Sequence, residues 1–213
     1  CDIPAGVLHR WDPRREVHDH WEFGTDAACC APVADGTLLL ALRSGIVQFD
    51  PATADVRPLV DAPYDTALER FNDGKVDPMG RLWVGTIYEP RQPPLARVYR
   101  LDVMRGSARL VTVAEGRPDG AAMDAEGCYW AAMFEGQRLV RLSPEGELLQ
   151  SVALPVRCPT MPCFGGDDGR TLYVTTARDK RPAEELDAQP WAGCVLQTRV
   201  EVPGLPLHCV LPP

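Results

Sequence analysis

No apolar run in this chain approaches the roughly 18 residues of a membrane-spanning helix. Positive charge is in deficit: 22 Lys and Arg stand against 30 Asp and Glu, for a net charge of −8. That deficit argues against nucleic acid and against anionic membrane surfaces, both of which need a basic footprint. Helical signals are nearly absent, and only Ala183–Ala188 reads as a turn or two of helix. No Gly-Lys-Ser or Gly-Lys-Thr follows a glycine loop, so Gly74-Lys75 is not a phosphate cradle. The absence of a Gly-x-Ser-x-Gly elbow weakens a serine-hydrolase reading. Asparagine occurs once, at Asn72, and Asn-Gly never.

Eight cysteines are present without the spacing of a disulfide framework. Cys29 and Cys30 are adjacent, and Cys158 and Cys163 bracket Pro-Thr-Met-Pro with no second pair to complete a zinc site. They read as reduced thiols of a cytoplasmic protein. The chain opens on Cys1 with no visible signal peptide, so it is expected to begin inside a longer reading frame. Its 213 residues, 45% hydrophobic and 24% charged, suit one soluble domain over residues 1–213 or an array of repeats.

What is there is a repeat. Gly36, Gly80, Gly127 and Gly169 open similar segments at separations of 44, 47 and 42 residues, close to the period of a propeller blade. The first three are followed by an apolar strand with a small residue five positions on: Ala41, Gly85 and Ala132. A second strand then ends in a turn, as in Ile46–Pro51, Val98–Asp102 and Leu139–Pro144, and Val7–Pro13 fits the same slot without its first half upstream. Alternation has period two, with Gly, Asp and Pro as punctuation. A sandwich would account for short strands but not for a repeat near 45. The expected fold is an all-β propeller.

The segment Arg70-Phe71-Asn72-Asp73-Gly74-Lys75-Val76-Asp77-Pro78 places a cation, a carboxamide and acids side by side, ahead of the strand Leu82–Thr86. Arg donates in a fork, Asn both donates and accepts, and a carboxylate takes hydroxyl protons, so the set suits a polyhydroxylated ligand. Taken by spacing alone, Asn-Asp-Gly is more simply a reverse turn. Asp119 before Gly120 is by itself a turn residue too, and Glu89 before Pro90 reads equally well as a surface acid. His18 and His20, two apart on an expected strand, share a face; a solvated outer strand is the plainer reading and a metal pair the sharper one. His9 and His208 have no partner that the sequence identifies. Trp83 and Trp130 read as core, and Arg178 as a structural contact at a strand end.

These segments together resemble the senescence marker protein/gluconolactonase/regucalcin family of six-bladed propellers. Asp2–Gly6 with Leu8–Pro13 looks like its first blade, and Arg70–Lys75 with Gly85-Thr86 like its most specific motif. Pro118-Asp119-Gly120 with Asp124–Gly127, Cys163–Gly166 with Leu172–Arg178, and Gln189-Pro190 with Ala192-Gly193 follow in order. The resemblance implies a metal-dependent lactonase that hydrolyses a sugar lactone to the aldonic acid. Asp119 would bind a divalent ion and act as general acid/base, while Arg70, Asn72 and Glu89 would hold the substrate. The ion would polarise the lactone carbonyl. Oxygen ligands suit calcium first, with zinc, manganese or magnesium as alternative occupants.

Two departures stand out. The family's first-strand Glu would fall before Cys1, and its Asn-Gly ligand belongs to a blade that has no counterpart here. Only Val103–Gly116 links Leu101-Asp102 to Arg117-Pro118-Asp119, so about 45 residues, one blade, are missing. Of three protein ligands only Asp119 carries over. Either the working enzyme contains segments absent from this sequence, or the chain is a non-catalytic propeller, binding calcium or a partner, whose metal site is lost.

Overall fold

The computed structural model describes residues 1–104 and 107–205; His208 lies outside them. Strands dominate, and the one helix among the described residues is α1 (Ala183–Ala188), where the sequence places it. The strands are β1 (Val7–Asp12), β2 (Val17–Glu22), β3 (Ala27–Pro32), β4 (Leu38–Leu42), β5 (Gly45–Asp50), β6 (Asp55–Asp61), β7 (Glu69–Val76), β8 (Leu82–Tyr88), β9 (Arg97–Met104) and β10 (Ser107–Glu115). They continue with β11 (Pro118–Met123), β12 (Tyr129–Met133), β13 (Arg138–Leu142), β14 (Leu148–Ala153), β15 (Pro159–Gly165), β16 (Thr171–Thr176) and β17 (Val195–Arg199). Each sheet is an antiparallel meander in chain order: β3 to β6, β7 to β10 and β11 to β14 with four strands, β15 to β17 with three, and β1 with β2. Two compact units emerge, residues 1–76 with 80–117, and residues 77–79 with 118–213.

The repeat has a local cause. Gly36, Gly80, Gly127 and Gly169 occupy the hairpin between the first and second strands of the four larger sheets, with φ of +89°, +79°, +76° and +66°. A side chain is strained in that left-handed region, which explains why glycine recurs there. In the same turns the carboxylates of Asp35, Asp77, Asp124 and Asp168 accept the backbone N–H two residues on, at 2.9, 2.9, 3.0 and 3.1 Å. Such Asx turns fix where each second strand starts.

A second regularity lies in the first strand of each of the four larger sheets. The ladder slips by one residue between Ala27 and Cys29, Phe71 and Gly74, Pro118 and Ala121, and Pro159 and Pro162. Each slip is a β-bulge, which bends its strand and re-aims the side chains there. Asn72 and Asp119 occupy two of these bulges. The motif from Arg70 onward is therefore strand rather than the reverse turn that its spacing suggested.

Within the first unit, the β3 to β6 sheet is covered on both faces. Ala41 and Ile46 pack with Phe71, Val84 and Tyr99, while Leu40, Val47 and Phe49 pack with Leu8, Trp21 and Phe23 of the β1–β2 hairpin. Within the second unit, Trp130, Ala132 and Leu139 pack against Leu172 and Val174. Trp83 and Trp130 are core, as the sequence implied, at 0% and 1% exposure.

Asp124 is the polar fastening of the second unit. It is fully buried and accepts hydrogen bonds from Glu126 N, Cys128 N, Trp130 Nε1 and Arg141 Nε, the last at 2.7 Å. Replacing it with alanine leaves the sheltered Arg141 guanidinium with only the exposed Glu126 carboxylate as counter-charge and strips Trp130 Nε1 and two backbone N–H groups of their acceptor. Loss of one member of such a pair costs about 3–5 kcal/mol. Asp124→Ala is expected to lower unfolding free energy by that order in a urea titration, with Glu126→Ala, on the exposed side of the same arginine, nearly neutral.

Candidate functional site

The predicted sugar-binding residues fall in the first unit and Asp119 in the second. Arg70 lies on β7 just before the bulge, and its Nη1 donates to the Phe71 carbonyl at 2.8 Å. Asn72, 7% exposed, is one of few buried polar residues. Glu89 follows β8, and its backbone N–H reaches the Leu68 carbonyl at 2.9 Å, which continues the β7–β8 ladder by one more bond. Arg70 and Glu89 are brought together, with Nε 3.7 Å from Oε1.

They do not act as an isolated pair. Arg43, in the turn between β4 and β5, grips Glu89 with two bonds, Nη2 to Oε1 at 2.8 Å and Nη1 to Oε2 at 3.1 Å. It also donates to Asp26 Oδ2 from Nε at 2.9 Å and Nη2 at 2.6 Å, and to the Thr66 carbonyl at 2.9 Å. Asp26 in turn lies 3.9 Å from Arg70 Nε. Two cations and two carboxylates thus share one network with no net charge. The Glu89 side chain remains 43% exposed while Arg43, Asp26 and Arg70 are more sheltered. A carboxylate offers about four lone-pair sites, so two bonds from Arg43 leave Glu89 able to accept hydroxyls. A fixed, neutral array of forks and acceptors suits a neutral polyol.

Sequence reasoning missed Arg43 and Asp26. Arg43-Ser44-Gly45 reads only as a hairpin turn, and Glu89 is 46 residues away. A cation at a hairpin tip, with an acid just ahead of the first strand of the same sheet, was the available signal. Beneath the network, Glu69 is 4% exposed, and burial pushes its carboxyl up despite the bond donated by the Thr86 hydroxyl and the attraction of Arg97.

Asp119 occupies the β11 bulge and is half-buried. Both bulges are followed or filled by a glycine with no room for a side chain. A Cβ on Gly74 would lie 2.7 Å from the Trp83 carbonyl oxygen and 2.9 Å from Cys29 Sγ. On Gly120 it would lie 2.5 Å from Met161 Sδ and 2.8 Å from the Thr160 carbonyl oxygen. Asp119 and Asn72 therefore stand at equivalent places in two repeats, each beside a glycine packed against a carbonyl oxygen, that of Trp83 in the same sheet for Gly74 and that of Thr160 in the following sheet for Gly120.

Residues 1–114 and 105–178 match the family described as the SMP-30/Gluconolactonase/LRE-like region. The chain belongs to this family. The enzyme class that membership assigns is lactonase, a hydrolase of cyclic esters. Among curated relatives, a 6-deoxy-6-sulfogluconolactonase of Pseudomonas putida is 37% identical, over 96% of this chain and 87% of that protein. Regucalcin of Danio rerio is 33% identical with the same coverage. A regucalcin of Agrobacterium tumefaciens, described as calcium-binding, superposes with a TM-score of 0.53 at 20% identity, covering 95% of this chain and 85% of that one. The fold class is accordingly β-propeller.

The comparisons also locate the shortfall. The alignment to the Pseudomonas protein runs over 253 positions, yet the chain has 213 residues, so at least 40 positions have no residue here. Residues 105–114 belong to both family matches, and 107–114 of them lie in β10. That strand completes the β7 to β10 sheet, and β11 follows after Gly116 and Arg117. The sheets on either side of residues 116 and 117 each have four strands. The Val103–Gly116 segment, read from sequence as a bare link, is mostly the fourth strand.

The raised Glu69 gives a signed pH dependence. A carboxyl with a folded-state pKa above its unfolded value stabilises the fold below the unfolded value, and that contribution is lost as pH rises through the folded one. Glu69→Gln keeps an acceptor for Thr86 and removes the buried charge. The variant is expected to melt above wild type at pH 8, with the gap closing toward pH 4.5.

Proposed function

We propose that this chain carries the machinery of a sugar lactone hydrolase, converting a cyclic ester to the aldonic acid, with Asp119 as general acid/base. The observation that carries the reading is the shared mounting of Asn72 and Asp119 in equivalent bulges, with Arg70 and Glu89 in one charge-balanced network. Water adds to the lactone carbonyl while the Asp119 carboxylate takes its proton. The ring C–O bond then breaks, and the same proton passes to the departing ring oxygen, leaving an acyclic acid with a free hydroxyl. Arg70 and Asn72 donate to substrate oxygens, and Glu89, held by Arg43, accepts hydroxyl protons. The seven described cysteines carry free thiols, which supports a reducing, cytoplasmic setting.

In its full form the reading is metal-dependent, with Asp119 as a ligand of calcium or of zinc, manganese or magnesium. Calcium takes about six to eight oxygens, and no group of three or more His, Cys, Asp or Glu among the described residues is set to hold an ion. The residues present do not fit a complete metal site, so the proton chemistry above is derived without it. This deficit favours a second reading, a non-catalytic propeller that binds calcium or a partner after losing the blade that carries the family's Asn ligand. The alignment positions without a residue in this chain are in keeping with it.

Calcium and manganese calorimetry, followed by gluconolactone and xylonolactone hydrolysis, separates the two. Metal-dependent turnover that Asp119→Ala abolishes supports the lactonase; turnover that survives Asp119→Ala sinks the assignment of that residue. Absence of turnover leaves the second reading, with calcium binding pointing to an ion and its absence to a partner. Arg70→Ala is expected to raise KM roughly 10-fold or more with a smaller change in kcat, since a hydrogen bond to a charged group is worth about 1.5–3 kcal/mol.

A further inference from the structure

Three of the chain's four histidines lie on the β1–β2 hairpin. In that ladder His9 stands opposite His20, and Trp11 opposite His18. Paired positions share a face and alternate ones coincide, so His9, His18 and His20 project together, with Trp11 and Glu22 on the same side. The other side carries Leu8 and Trp21, which pack toward Phe49. There too Arg10 pairs with Asp19 at 2.6 Å and lies over the Trp21 ring. The histidine face is thus turned away from that core, and all three rings are exposed.

The rings are not merely neighbours in register. His9 Nδ1 is 2.9 Å from His18 Nε2, so the pair across the diagonal shares a hydrogen bond, and the rings stack at 5.0 Å between centroids. His20 closes the triangle at 6.3 Å from His9 and 6.1 Å from His18. His9, without a partner in the sequence, has two in the fold.

We propose that His9, His18 and His20 form a binding site for a borderline transition-metal ion such as Zn²⁺, Ni²⁺ or Cu²⁺, distinct from any ion at Asp119. Three imidazoles with the fourth position left to water are a known zinc ligand complement, and imidazole is the donor that these ions prefer over calcium or magnesium. Among the described residues no three donors already converge. The His9–His18 nitrogens, 2.9 Å apart and facing each other, must turn toward a common point and open to about 3.4 Å, the edge of a tetrahedron with Zn–N near 2.1 Å. His20 joins by side-chain rotation, which exposed residues undergo in picoseconds to nanoseconds. The metal replaces the proton that the two rings share.

Ni²⁺ titration of the whole chain by calorimetry tests this, because nickel favours imidazole over a hard carboxylate site. One ion per chain is expected, with affinity falling about 10-fold or more in each of His9→Ala, His18→Ala and His20→Ala, since loss even of an outer-shell partner costs that much. Asp119→Ala should leave nickel binding unchanged, and the triple histidine variant should keep wild-type melting and any calcium response. Absence of nickel binding, or affinity that His20→Ala does not alter, or binding that survives the triple variant, would overturn the three-histidine site. Failure of the lactonase reading would show in the Asp119 variant and in turnover instead.

Discussion

The close packing at Gly74, against the Trp83 carbonyl of its own sheet and Cys29 Sγ of the preceding one, and at Gly120, against the Thr160 carbonyl of the following sheet, is the constraint on which the candidate site depends. At both places a single carbon would meet a carbonyl oxygen at under 3 Å, a spacing that carbon does not tolerate. Each glycine belongs to a bulge, and the bulge presents its polar neighbour, Asn72 or Asp119. Packing and chemistry are therefore coupled at one point. The strand can lie this close to Trp83 at Gly74, and to the β15 to β17 sheet at Gly120, only with glycine there, and the polar side chain takes its direction from the same break in the ladder. The electrostatic network of Arg43, Asp26, Arg70 and Glu89 builds on that framework, because two sheets of the first unit must lie in register for a turn residue of one to grip an acid of the other.

The missing stretch relative to the relatives follows the same modular logic. In an array of repeats each unit contacts its neighbours through similar surfaces, so removal of one whole period disturbs local pairing least. Here β10 completes the sheet that β7 begins, and the next repeat starts with its bulge intact. What such a loss removes is not foldedness of the remaining sheets but the particular side chain that the absent repeat contributed.

Much of this was legible in the sequence, for identifiable reasons. Glycine at a left-handed turn has no good substitute, so the four repeat glycines stood out, and Ala183–Ala188 was the one helical stretch. The bulges were not legible. Asn-Asp-Gly and Asp-Gly break the two-residue alternation in the way a reverse turn does, and only the ladder on either side shows that the strand continues. Arg43 and Asp26 were hidden by distance along the chain. The His9–His18 bond was hidden by register: alternation shows which residues share a face within a strand, but the turn residues 13–16 decide which of them meet across it.

The bulge also occurs where no chemistry has been assigned. Ala28 fills it in the β3 to β6 sheet, and Thr160 and Met161 in the β15 to β17 sheet. Four repeats thus offer the same socket, two fitted with a carboxamide or a carboxylate and two fitted with an alanine or a threonine–methionine pair. Because the ladder resumes after each socket, exchanging what it holds need not move the strands. A scaffold of this kind can migrate its reactive groups from repeat to repeat over evolutionary time, and its family members need agree on the sockets more than on their contents.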